Sequence, residues 1–65
     1  MNTVEYFEQF DKRMKKYDEI AKLCGVKPVT VRMWAKGKFR PGVENAKKLE
    51  KATKGALKRY DIMFG

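Results

Sequence analysis

The side chains of this chain that could do chemistry are mostly cations. Its 65 residues hold 16 Lys and Arg against 8 Asp and Glu, for a net charge of +8, and include neither histidine nor serine. Nucleophilic catalysis needs a hydroxyl or thiol beside a base, and the lone Cys24 has no imidazole to activate it. The carboxylates form no recognisable acid/base pair and no glycine loop has the phosphate-cradling pattern, so the sequence implies no enzyme and no small-molecule substrate. A Cys/His zinc site is equally out of reach, and no metal or cofactor is expected. What so many cations suit is a polyanion.

Residues 1–11 carry three acids and no base, whereas all 16 cations fall in residues 12–65 against five acids. A surplus of that size on a small body sets up a positive field whose natural counterpart is the phosphate backbone of a nucleic acid. Charge alone would also suit an anionic membrane surface, so the placement of the cations has to decide. Val29, Arg32, Met33 and Lys36 recur at i, i+3, i+4 and i+7 and therefore share one face of a helix. Arg32 brings a planar fork that matches the two acceptors of guanine, and Val29 suits a thymine methyl. Lys27, Pro28, Met33 and Lys36 complete the candidates for contact with base edges. Tyr17, Lys22, Thr30, Lys38 and Arg40 are the candidates for phosphate contact, which orients a protein on a duplex without reading its sequence.

Such a face needs an element to hold it, and the stretch from Tyr17 to Lys36, YDEIAKLCGVKPVTVRMWAK, has the pattern for one. Two helices that meet steeply through a turn of three or four residues need a small side chain where their backbones approach, which Ala21 supplies. The turn needs a residue that tolerates a left-handed backbone, which Gly25 supplies. Ile20, Cys24, Val26, Val31 and Trp34 then form the apolar wedge between the two helices. The second helix of the pair opens at Lys27-Pro28, since proline is favoured at the first helical position. Val31 and Trp34 point inward from it, opposite the Arg32 face.

The remaining elements also read as helical. Val4, Phe7, Phe10 and Met14 fall on one helical face, with Asn2 as cap and Glu5 completing a capping box. Asp11 to Lys16 either continues this helix or forms a charged connection, with the next helix starting at about Lys16 to Asp18. After Gly37 comes a basic loop, Lys38 to Arg40. Pro41 then starts a further helix with a stripe of Val43, Ala46, Leu49 and Ala52, stopped at Gly55. Ala56 to Gly65 is too apolar for a free tail and folds back on the core or meets a partner chain, with Tyr60 and Phe64 as candidates for a subunit contact. The expectation is therefore an all-α domain of four to five helices spanning residues 1–65, with a small core, as about 60% surface burial on folding implies at this size. No apolar run approaches a membrane span and Met1 to Asp11 has no positive leader, so a cytoplasmic location is expected.

On IAKLCGVKPVTVRMW, the following Pro41 and the stretch KKLEKATKGALKRYD, the chain resembles the small Cro repressors of lambdoid bacteriophages, more closely their all-helical branch than the branch with a C-terminal hairpin. The resemblance runs from about Ile20 to Asp61 and implies a lambda-repressor-like, Cro-like fold. It also implies that a weak, DNA-assisted homodimer binds a short palindromic operator in double-stranded DNA and represses phage promoters. The chain departs from the family at Lys27 and Pro28, where Ser, Thr or Gln is usual, and at Tyr17, where Gln is common. Two other readings use the same residues: a helix-turn-helix module of another kind, such as an antitoxin or excisionase accessory factor, and a nonspecific polyanion binder.

Overall fold

Asn2 opens the first helix as its side chain requires. Its Oδ1 accepts from the Glu5 backbone N–H at 2.8 Å, while the Glu5 carboxylate accepts from the Asn2 N–H at 2.9 Å. This reciprocal cap satisfies two donors that a helix start leaves open. The computed structural model describes residues 1–64, and its helices are α1 (Thr3–Glu8), α2 (Arg13–Cys24), α3 (Pro28–Ala35), α4 (Val43–Ala52) and α5 (Arg59–Phe64). Among the described residues there is no strand, so the architecture is all-α.

The first helix is shorter than the apolar spacing predicts. It stops at Glu8, and Phe10 packs half-buried against the core from the connection that follows. The second helix begins at Arg13, ahead of the expected Lys16 to Asp18. Arg13 reaches back across the break: its Nη2 and Nε donate to the carbonyls of Glu8 and Phe10, both at 3.4 Å, where the end of α1 leaves acceptors open. Met14 accordingly belongs to α2, not to the apolar face of α1, and is 65% exposed.

Tyr17, Ile20, Ala21 and Cys24 form the buried stripe of α2 at the spacing of one helical face. Gly25 ends it at φ +70°, and the Val26 N–H donates to the Ala21 carbonyl at 3.0 Å in the manner of a left-handed helix stop. Pro28 takes the first position of α3, with Lys27 extended before it and offering no side-chain cap. The end of α3 is fixed by Gly37 at φ +74°, where a Cβ would also lie 3.3 Å from Cγ2 of Val4 in α1.

The fourth helix starts at Val43 behind an extended Gly42 cap, two residues later than the sequence predicts, with Pro41 buried just ahead of it. Val43 is exposed, and the inward stripe runs through Ala46 and Leu49, with Ala52 partly buried against the core as expected, and on to Thr53. Thr53 is a polar member of that stripe: its hydroxyl donates to the Leu49 carbonyl at 2.8 Å and accepts from the Leu57 N–H at 3.1 Å. The chain thus turns back after Gly55, buries Leu57 and Ile62 completely or nearly so, and closes with α5. The tail folds onto the core, as one of its two expected fates; Gly65 lies outside the described residues.

α2 packs on α3 and α4, α1 covers α3 and α2, and α5 covers α4. The aromatic rings of α1 seal its side: Tyr6 and Phe7 meet edge to face at 5.2 Å, and Phe7 meets Tyr17 at 5.5 Å. The Lys16 ammonium lies 4.7 Å from the Phe10 ring centre, a cation over an aromatic face. No described helix is long and apolar enough to cross a membrane.

Candidate nucleic-acid interface

Trp34 faces the interior from α3. Its indole is 3% exposed and belongs to the same core as Val31, Ile20 and Cys24. Burying that side of α3 leaves the opposite side outward, because residues a turn apart share a face and those half a turn apart oppose it. Lys27, Pro28, Arg32 and Lys36 are exposed, and Val29 is 51% exposed. Met33 is only half-buried surface, turned partly toward the protein.

From Val26 to Val43 the chain contains Lys27, Arg32, Lys36, Lys38 and Arg40 and no acid. None of these cations is in a salt bridge among the described residues; the ion pairs there are Met1 with Asp61, Lys16 with Glu19 and Arg59 with Glu50. Among the described residues, no carboxylate therefore neutralises the positive charge of α3 and its following loop. A phosphate meeting Lys27, Arg32, Lys36 or Lys38 displaces only water and mobile ions.

The phosphate candidates divide. Lys22 is exposed in the last turn of α2 and Lys38 is exposed in the loop after α3, while Thr30 is half-buried. Arg40 is exposed, but its Nη1 donates to the Met63 carbonyl at 3.2 Å, which ties the loop to the end of α5. Tyr17 has its ring in the core. It is 5% exposed with its ring against Phe7, because α2 starts at Arg13 and puts Tyr17 in the second turn, on the buried stripe, rather than at the helix start.

Burial pushes the Cys24 thiol up from its ordinary pKa, against a smaller opposing pull from the nearby Lys48 charge, so it stays protonated and inert. Among the described residues no group of three or more His, Cys, Asp or Glu gathers as a metal site. Two features of this side of the molecule escape sequence reasoning. Phe39 stands exposed between Lys38 and Arg40, where no helical period sets its direction, and the Arg40 tether joins residues 23 apart.

No curated protein and no solved structure matches the chain significantly. A family model described as helix-turn-helix matches residues 8–57, a span that includes all of α2, α3 and α4. With Trp34 buried, the cationic face of α3 outward and that match over most of its length, the chain belongs to the helix-turn-helix family of DNA-binding regulators.

Proposed function

We propose that this chain is a transcriptional repressor of the Cro type, of phage origin, in which residues 1–65 act as one DNA-binding domain and two copies bind a short palindromic operator. The observation that carries the reading is the division of α3 into a buried Trp34 side and an outward cationic side with no ion pair among the described residues. A B-DNA major groove admits one helix, and proteins with this motif present the N-terminal part of the second helix to base edges. Arg32 reads a guanine through its fork, and Val29 lies against a thymine methyl. Lys27, Pro28, Met33 and Lys36 border the same groove. Lys22, Thr30, Lys38 and Arg40 meet phosphates on either side.

A dimer places two copies of α3 about 34 Å apart, one turn of the duplex, on one face of the DNA. The contact between copies is assigned to α5, where Tyr60 is 70% and Phe64 63% exposed with their rings 5.2 Å apart. Two aromatic rings per copy are a small surface beside the roughly 1,200–2,000 Å² of a stable interface, so the dimer is weak in solution and assembles on DNA.

Selection of bound sequences from random duplex DNA tests the proposal. A symmetric consensus with half-sites one helical turn apart supports it. Equal binding to scrambled duplexes would leave only a nonspecific polyanion binder.

A further inference from the structure

From Val26 to Gly37 the chain has no carboxylate and no side-chain amide. The outward side chains of α3 and its cap are Lys27, Pro28, Val29, Arg32 and Lys36, and the one hydroxyl nearby, that of Thr30, is on a half-buried residue. Every strong hydrogen-bonding group on this face is thus a cationic donor. That matters because the major groove displays both donors and acceptors. Adenine is read in two-point fashion by Asn or Gln, and the cytosine amino group by an acceptor such as Glu or Asp. This helix carries neither.

Donors alone recognise guanine best, since it presents two neighbouring acceptors. For A·T pairs the remaining distinctive feature is the C5-methyl of thymine, which needs only an apolar surface. Val29, 51% exposed, and the exposed Pro28 beside it make that surface at the N-terminal end of α3. Resting on the function proposed above, we infer that α3 reads its site with cationic donors and a methyl contact alone, so that the thymine C5-methyl is itself a recognised group. Val29 and Arg32 lie three residues apart, about 4.5 Å along the helix axis at a rise of ~1.5 Å per residue. Base pairs repeat every ~3.4 Å, so the thymine lies within one or two pairs of the guanine that Arg32 reads.

The test starts from the consensus selected with the full chain. Each thymine is then replaced by deoxyuridine, which keeps the O4 acceptor and removes only the methyl. At one thymine per half-site the change weakens binding about fourfold, the value of one buried methyl. At the same position 5-methylcytosine binds more tightly than cytosine by a similar factor. Val29→Ser abolishes both ratios, and Arg32→Ala leaves both in place. Unchanged affinity of the wild-type chain after every thymine is replaced, a consensus without thymine, or ratios that survive Val29→Ser would each overturn the inference while leaving sequence-specific binding intact. Failure to enrich any sequence would instead remove the proposed function, and this inference with it.

Discussion

The carboxylate of Glu50 on α4 holds Arg59, the first residue of α5, in three ways. Its oxygens accept from Arg59 Nη2 at 3.1 Å, from Nε at 3.2 Å and from the backbone N–H at 3.4 Å. The pair is a forked ion pair and a helix cap together. Side-chain hydrogen bonds from Arg59, then its backbone N–H, hold the Glu50 carboxyl below its usual pKa.

A carboxylate whose pKa is lowered on folding stabilises the folded state above its unfolded pKa, about 4.3, and that contribution is lost as pH falls through the lowered folded value. Glu50→Gln should therefore melt at a lower temperature than wild type at pH 7. The difference should close as both are taken well below pH 4. Thermal melts across that range check it, and a gap that persists in acid would mean the pair does not titrate as described.

Trp34→Ala should unfold the domain. Truncating a buried aromatic costs about 3–5 kcal/mol. The whole stability of a chain this size is on the order of 3–10 kcal/mol. Circular dichroism should show most helical signal lost for this variant and retained for Arg32→Ala, whose side chain is exposed.

Gly37→Ala should destabilise by about 1 kcal/mol or more, since φ is +74° and the new methyl meets Val4 Cγ2 at 3.3 Å. Gly42→Ala is the matched control. It has an ordinary φ of −71° with nothing within 4 Å of the added carbon, so it carries only the cost of alanine at a helix N-cap and should shift a denaturant midpoint less.

On DNA, Arg32→Ala should lose roughly 1–3 kcal/mol at one position of the site and relax the base preference there. Lys38→Ala should weaken binding to all sequences alike and lower the slope of log affinity against log salt by about one. Titrations of cognate and scrambled duplexes at several salt concentrations separate the two. Identical, sequence-independent losses would refute the division of roles.

How much of this was legible beforehand follows from where the physical signals are local. Gly25, Ala21 and Trp34 declare their places because a left-handed turn, a close approach and an apolar wedge each demand one kind of residue. The start of α2 was hidden, since its cap is Lys12, which has no side-chain acceptor and makes no capping bond. The position of Tyr17 follows from it: with α2 starting at Arg13, its ring lies on the buried stripe and not at the helix start. The tail could not be assigned as helix because its first N–H is satisfied by Glu50, nine residues back, and not by a neighbour. Val43 looked like part of a stripe, but the buried side of α4 continues forward to Thr53, whose polarity disguised it.

The chain has one tryptophan, and the fold sets it beneath the helix that would enter the groove. Its intrinsic fluorescence is thus a built-in optical gauge of that helix. A red shift in emission reports the loss of its seating without any label, and an unshifted spectrum for a variant that no longer binds DNA locates the defect on the surface.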